Sequence, residues 1–237
     1  MAVVFDGGMD QRRKGLLAEY KAQRPPMPDK LRSQVALISE YLKCARIAVA
    51  RIDGREADDV MAALAARACA ADKGFNVLML TSDKDMFQMV DDRVSLVVPA
   101  RGEERMGPIQ VLQKTGVPPS LVPGWLALTG DAADNIPGVP GVGPKTAAKW
   151  LSEHGSLAGV FEHLPELKPE RLRDALQAHR AAVERNLDLV RLDSAMDPGL
   201  EIEALRVVAP DAGEMLEFFR GMEFHSFAKE LETPTLF

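Results

Sequence analysis

Acidic side chains recur in this chain where predicted strands end and predicted helices begin. Asp6 follows an apolar run over residues 2–5, while Asp83 and Asp85 follow another over residues 75–80. Further acids stand at the start of an alanine-rich segment or three residues apart in a polar one: Glu56, Asp58, Asp59, Asp131 and Asp134. Because functional groups collect at the carboxyl ends of strands in an open parallel sheet, we expect these carboxylates to share one cleft.

Carboxylates that converge without histidine or cysteine indicate a site for metal cations. They would repel one another strongly unless cations neutralised them. Ligands that are oxygen only select hard ions, so we expect two Mg²⁺ ions, or Mn²⁺ in their place. Two such ions about 4 Å apart are the usual arrangement for the attack of water on a phosphodiester. Taken singly, the same acids are also typical helix caps and turn residues, and their spacing leaves that alternative open.

A segment rich in glycine and proline, residues 136–150, is the second informative stretch. It does not match the phosphate-binding loop of nucleotide hydrolases, because Pro144 separates Gly143 from the lysine. It predicts a tight turn that opens a helix at Pro144 and can grip a sugar–phosphate backbone without reading bases. The groups available to a phosphate are the amides and ammonium groups of Gly141, Gly143, Lys145 and Lys149. A plain turn between helices is the alternative.

Hydrophobic patterning predicts an α/β fold. Strands are predicted over residues 2–5, 47–52, 75–80 and 94–98, and helices over residues 31–42, 56–71 and 86–90. This alternation is typical of a parallel sheet covered by helices. Helices predominate after Pro118, and a last strand and helix are predicted over residues 200–208 and 214–220. We therefore expect a metal-binding core over residues 1–118, a helical subdomain over 119–197, and a return to the core over 198–237.

Composition narrows the class of protein. The formal net charge is −6, yet basic residues crowd the first 32 positions, which is typical of an acidic pocket flanked by basic surfaces and also of an ordinary solvated surface. No apolar run is long enough to span a bilayer, and the N-terminus lacks the pattern of a signal peptide. Cys44 and Cys69 lack metal-ligand spacing and are expected to be reduced thiols. These features predict a cytoplasmic protein, and we expect it to be a monomer.

Several ordered segments together resemble one known family. They are Val4-Phe5-Asp6, Tyr20-Lys21-Ala22-Gln23-Arg24-Pro25, Glu56-Ala57-Asp58-Asp59, Thr81-Ser82-Asp83-Lys84-Asp85, Thr129-Gly130-Asp131-Ala132-Ala133-Asp134-Asn135 and Gly141-Val142-Gly143-Pro144-Lys145-Thr146. This order is similar to the 5′ nuclease (flap endonuclease-like) domain at the N-terminus of bacterial DNA polymerase I and in free-standing relatives. The resemblance implies a PIN-like parallel-sheet nuclease core and a helix–three-turn–helix subdomain that binds DNA.

The resemblance also implies roles for individual residues. Glu56, Asp58, Asp59 and Asp83 would hold the first ion, Asp85, Asp131 and Asp134 would serve the second, and Asp6 would belong to the same cluster. Lys21, Arg24 and Arg13 match basic residues of the family's helical arch and would act at the scissile phosphate. Duplex DNA and a potassium ion would be held by the hairpin residues Gly138, Gly141, Val142, Gly143, Lys145, Thr146 and Lys149.

The implied reaction is removal of 5′ flaps and primers from DNA in a bacterial, nucleoid-associated setting, with a polymerase fused or separate. Family members begin upstream with a strand that ends in Asp-Gly, whereas this chain starts at what resembles the next strand. We therefore expect an N-terminally truncated domain that lacks a central strand and one metal ligand. The alternative function is a module that recognises branched, nicked or 5′-ended DNA without cutting it.

Overall fold

The computed structural model describes residues 1–98 and 105–232. The strands are β1 (Ala2–Val4), β2 (Ala48–Ala50), β3 (Val77–Leu80), β4 (Val94–Val97), β5 (Arg105–Met106), β6 (Gly130–Asp131) and β7 (Ile136–Pro137). The helices are α1 (Gln11–Leu16), α2 (Asp29–Cys44), α3 (Ala57–Ala71), α4 (Pro108–Thr115), α5 (Val122–Thr129), α6 (Pro144–His154), α7 (Leu157–Glu162), α8 (Glu170–Ala178), α9 (Arg180–Val190), α10 (Ala212–Gly221) and α11 (His225–Glu232).

The strands form separate short sheets. β1 pairs with β2 in parallel, and β3 pairs with β4 in parallel, while β5 adds to β4 in the antiparallel sense. β6 and β7 form a small antiparallel hairpin. The predicted parallel pairing is confirmed, and helix α3 contacts both β1 and β3, so one helix covers the two parallel units. This packing brings the carboxyl ends of β1 and β3 to the same helix.

The largest apolar core is shared between the strand-containing half and the helical half. Its most deeply buried members include Met86 and Phe87 after β3, Leu126 on α5, Trp150 on α6 and Leu189 on α9, all with at most 2% of their surface exposed. Each such side chain contributes roughly 1.5–3 kcal/mol through burial. The two halves are therefore held against each other by one continuous core.

The C-terminal region differs from the sequence prediction. Residues 200–208 were predicted as a strand, but the structure has a short 3₁₀ helix at Ile202–Leu205, so this prediction is wrong. Leu200 and Leu205 pack beside Val60 and Leu64 of α3 instead of joining a sheet. Their apolar side chains are satisfied by burial against that helix, which requires no strand partner.

Helices α10 and α11 form a satellite unit. Met215 and Phe219 on α10 and Ala228 on α11 make a small apolar cluster with Cys44 at the end of α2. Both Cys44 and Cys69 are free thiols. Within the described residues, no helix combines the length and the apolarity that crossing a bilayer requires.

Candidate active site

Three acids from distant parts of the chain meet at one point. Asp85 begins the 3₁₀ turn Asp85–Met89 that follows β3, Asp131 ends β6, and Asp134 lies in the turn before β7. One carboxylate oxygen from each lies within 4.8 Å of the others. This is the only group of three or more potential metal-ligating side chains at such distances in the described parts of the chain.

Asp85 is the least compensated of these acids. Its Oδ1 atom is buried and has no hydrogen-bond partner in the structure. Burial, followed by the charges of Asp83, Asp131 and Asp134, raises the pKa of Asp85 to about 8. A divalent cation would offset the repulsion between these carboxylates and give the Asp85 Oδ1 atom a partner. The set of Asp85, Asp131 and Asp134, which offers only oxygen ligands, therefore fits a hard ion.

A second group of acids lies around the start of α3. Burial and the charge of Asp83 raise the pKa of Asp58 to about 7, and Glu56 and Asp6 add to the repulsion. Asp83 is exposed, and its Oδ1 accepts a hydrogen bond of 2.9 Å from the Asp85 amide. Asp6 is also exposed, and its Oδ1 accepts from the amide of Ala57 at 3.2 Å. Asp6, Glu56 and Asp83 therefore lie near enough for their charges to act on Asp58.

Tyr20 joins the two acidic groups. Its hydroxyl lies 3.0 Å from Oε2 of Glu56 and 3.1 Å from Oδ2 of Asp134, and the residue is 2% exposed. A phenol has one proton to donate, so the two carboxylates share it. Burial and the charges of Glu56 and Asp134 raise the pKa of Tyr20, which keeps this proton in place.

Basic side chains lie at the rim of the acidic site. The Lys21 ammonium is 2.7 Å from Glu56 and 3.6 Å from Asp134, and the Lys84 ammonium is 3.3 Å from Asp131. The Arg24 guanidinium donates to Asp134, while its side chain remains 48% exposed. These basic side chains partly neutralise Glu56 and two members of the candidate metal group, Asp131 and Asp134.

Asp59 and Arg13 lie behind this rim in the protein interior. Arg13 is 2% exposed and Asp59 is fully buried, and their side chains form a two-point contact. Arg13 also donates to the carbonyl oxygens of Leu189 at 2.9 Å and Arg191 at 3.1 Å. This placement differs from the arch role expected for Arg13, because a buried, fully engaged guanidinium does not face a substrate. Oδ1 of Asp59 also accepts from the amide of Asp193 at 2.8 Å.

The glycine segment forms the expected turn before α6. Pro144 begins that helix, Gly143 is its N-cap, and Gly141 has a φ of +82° that favours glycine. Among the described residues, the amides of Gly141 and Gly143 donate to no protein acceptor. A Cβ on Gly143 would meet nothing within 4 Å, so this backbone is open to an approaching ligand.

Other members of the predicted hairpin set have different surroundings. A Cβ on Gly138 would lie 2.1 Å from the carbonyl oxygen of Thr129, so this glycine permits close packing of the hairpin against α5. The Val142 side chain is buried, and its amide donates within the turn to Val139. Lys145 and Lys149 are exposed and Thr146 is partly exposed, with Lys149 3.8 Å from Glu153.

Several participants were missed by the sequence analysis. Asp10 caps α1 and contacts Arg13, Tyr20 bridges two acids, and Gln88 hydrogen-bonds around the Asp85 turn. Lys84 stands between the predicted site acids Asp83 and Asp85, and that position could have indicated that it lies near the site. The role of Gln88 arises from contacts with the distant end of α9, for which the sequence offers no local pattern. Asp10 makes only local contacts, and an aspartate just before a helix is a typical N-cap signal.

Comparison with known proteins gives consistent matches over the chain. Residues 1–116 match the family described as "5′-3′ exonuclease, N-terminal resolvase-like domain", and residues 117–213 match "5′-3′ exonuclease, C-terminal SAM fold". A 5′-3′ exonuclease of Aquifex aeolicus is 36% identical over 98% of this chain and 78% of its own length. The thermostable DNA polymerase I of Thermus filiformis is 36% identical over 97% of this chain, which spans 27% of that protein.

A solved structure shares the fold. The bacteriophage T5 flap endonuclease, crystallised as a pseudo-enzyme–product complex with DNA and metal ions, superposes with a TM-score of 0.70 at 22% identity. The match covers 97% of this chain and 82% of that one. The likeness confirms the predicted fold, an α/β core joined to a helical region.

Proposed function

We propose that this chain, which belongs to the 5′-3′ exonuclease family, hydrolyses phosphodiester bonds near the 5′ ends of DNA by a two-metal mechanism. The observation that carries the proposal is the convergence of Asp85, Asp131 and Asp134 with one buried oxygen left unsatisfied. Family membership favours this function over the alternative of a module that binds DNA without cutting it.

Two divalent ions, Mg²⁺ or Mn²⁺, would have separate ligand sets. Asp85, Asp131 and Asp134 would hold one ion, and Glu56, Asp58 and Asp83 would hold the other, with Asp6 beside them. Bound there, such ions would supply Lewis-acid chemistry that eases deprotonation of the attacking water and offsets the charge that develops on the phosphate oxygens. The Tyr20 hydroxyl keeps Glu56 and Asp134 together, so the two ligand sets stay at a fixed separation.

Lys21 and Arg24 are proposed to contact the phosphate that is cut. Both stand at the rim on carboxylates that metal would neutralise, so ion binding would free their charges for the DNA. Arg13 and Asp59 take a supporting role in this scheme. Their contacts fix the wall of the site by joining the start of α3 to the end of α9.

The DNA duplex is proposed to lie across the glycine hairpin. The open amides of Gly141 and Gly143 and the ammonium groups of Lys145 and Lys149 suit phosphate oxygens, and a potassium ion would add to this contact. Gly138 and Val142 shape the turn, and Thr146 stands at the start of its helix.

The proposed substrates are DNA molecules with a 5′ flap, a nick or a free 5′ end. The relatives named above come from bacteria, and one of them is a DNA polymerase I. On that basis we propose that the protein acts on bacterial DNA in the cytoplasm, at the nucleoid. We propose that it does so as a monomer, alongside a fused or separate polymerase.

The test is cleavage of a labelled 5′-flap DNA at saturating Mg²⁺. Asp85→Asn and Asp134→Asn are each expected to slow single-turnover cleavage by about 100-fold or more, since they remove ligand oxygens rather than outer supports. Asp53→Asn is the matched control, because the Asp53 side chain is 97% exposed and lies outside both acidic groups. Equal cleavage by all four proteins would contradict the assignment of the active site. DNA binding without product from the parent would favour the non-cutting module.

A further inference from the structure

The acids of the Asp85–Asp131–Asp134 group come to one point from two segments that are distant in sequence. Asp85 belongs to the turn after β3, whereas Asp131 and Asp134 belong to the β6–β7 hairpin. An ion held between them requires a fixed separation, because a divalent cation tolerates little change in ligand distance. Helix α9 is connected to each segment by the hydrogen bonds of one amide side chain.

Gln88 makes the first of these connections. Its Nε2 atom donates to the carbonyl oxygen of Asp85 at 2.9 Å and to that of Val190, at the end of α9, at 2.9 Å. Its Oε1 atom accepts from the amide of Leu192 at 3.2 Å. Gln88 therefore uses both its donors and its acceptor to join the Asp85 backbone to the last turn of α9.

Asn186 makes the second connection from within α9. This residue is fully buried, and its Nδ2 atom donates to the carbonyl oxygens of Pro137 at 2.7 Å and Ala127 at 3.2 Å. Pro137 pairs with Gly130 in the hairpin, next to the pairing of Asp131 with Ile136. Asn186 therefore attaches the strand beside Asp131 to the same helix that Gln88 attaches to Asp85.

We propose that Gln88 and Asn186 are positioning residues that use α9 as a common support to set the separation of Asp85 from Asp131 and Asp134. Both side chains are neutral, so they hold the backbone without reducing the negative charge that attracts a cation. Lysine or arginine at either position would add a competing positive charge. This inference rests on the proposed metal site and assigns two residues that support it.

The first experiment measures Mn²⁺ binding to the whole, DNA-free chain by electron paramagnetic resonance. Gln88→Met removes all three hydrogen bonds at nearly constant volume, and Gln88 is only half-buried, so the variant is expected to fold. We expect it to weaken, by about tenfold, the Mn²⁺-binding phase that Asp85→Asn also weakens. Gln113→Met, at an exposed position on α4, is the matched control and is expected to bind Mn²⁺ as the parent does.

A double-mutant cycle separates positioning from general stability. If Gln88 acts through Asp85, adding Gln88→Met to Asp85→Asn is expected to cause no further loss of affinity. Asn186→Ala is expected to weaken the same phase, and thermal unfolding reports whether that more buried variant folds. Gln88→Glu keeps the acceptor and replaces the donor, so it is expected to bind no better than Gln88→Met.

The outcomes are distinct. Parent-like Mn²⁺ binding by Gln88→Met, or effects of Gln88→Met and Asp85→Asn that add fully, would overturn the positioning role while leaving the metal site intact. Unchanged Mn²⁺ binding by Asp85→Asn would instead refute the proposed metal site, and this inference with it.

Discussion

Two aspartates, Asp59 in the interior and Asp85 in the candidate metal group, have opposite electrostatic surroundings. Asp59 is fully buried, and Arg13 together with the Asp193 amide outweighs the effect of burial and lowers its pKa. Asp85 has a buried oxygen without a partner, and burial with three neighbouring acids raises its pKa to about 8. The protein thus neutralises one carboxylate by itself and leaves the other to be neutralised from outside.

This difference distinguishes supporting acids from ligand acids. A carboxylate engaged at both oxygens by a buried guanidinium has little capacity left for an ion, and breaking that contact would leave a buried charge. A crowded carboxylate that is poorly solvated gains most when a cation arrives. Spacing alone made both Asp59 and Asp85 candidate metal ligands. Their partners in the structure instead make Asp59 a supporting acid and Asp85 a candidate ligand.

The largest effect is expected on the free energy of unfolding when Asp59 and Asp85 are each replaced by asparagine, in separate variants, in metal-free protein at pH 8.5. Asp59→Asn leaves the buried Arg13 charge without its main partner and should lower the free energy of unfolding by about 3–5 kcal/mol. Asp85→Asn removes an uncompensated charge and should raise it by about 1–2 kcal/mol. Urea unfolding measures both values. Changes of the same sign in the two variants would remove the distinction between them.

A smaller effect is expected from pH. The pKa of Asp85 is raised to about 8 and that of Asp58 to about 7, above the values near 3.9 expected in the unfolded chain. Their contribution to stability is therefore complete below about pH 4 and is lost as pH rises through 7 and 8. Thermal unfolding of metal-free protein should show a Tm that falls over this window.

The Asp58→Asn/Asp85→Asn double variant is the control for that measurement, since it should flatten the fall in Tm. Saturating Mg²⁺ should raise the parent's Tm more at pH 8.5 than at pH 6, because ion binding requires the deprotonated acids. A decline in Tm that is just as steep in the double variant would show that other groups cause it.

The smallest effect concerns the cation at the rim. Lys84 contacts Asp131 at 3.3 Å with a side chain that is 38% exposed. Lys84→Met removes a competitor for metal and should tighten Mn²⁺ binding by up to about fivefold, as expected for a partly screened ion pair. Lys73→Met, at an exposed position, is the control. Weaker Mn²⁺ binding in Lys84→Met would mean that Lys84 supports the ligand geometry.

The sequence by itself predicted most of the local structure. The strands β1 to β4, the helix that opens at Pro144 and the acids that follow β1 and β3 all arise from short-range patterns of apolar, turn and capping residues. The failed strand over residues 200–208 shows the limit of such patterns. Apolar residues there found burial against α3, and an apolar pattern alone does not specify which surface will bury it.

Only the tertiary structure decided which charged groups face one another. Arg13 and Asp59, Tyr20 with Glu56 and Asp134, and Gln88 with α9 are contacts between distant segments. Residue type gives a carboxylate its capacity to bind metal, but burial and partners determine whether that capacity is already used. Those two properties depend on how the helices pack, and packing is a property of the whole chain.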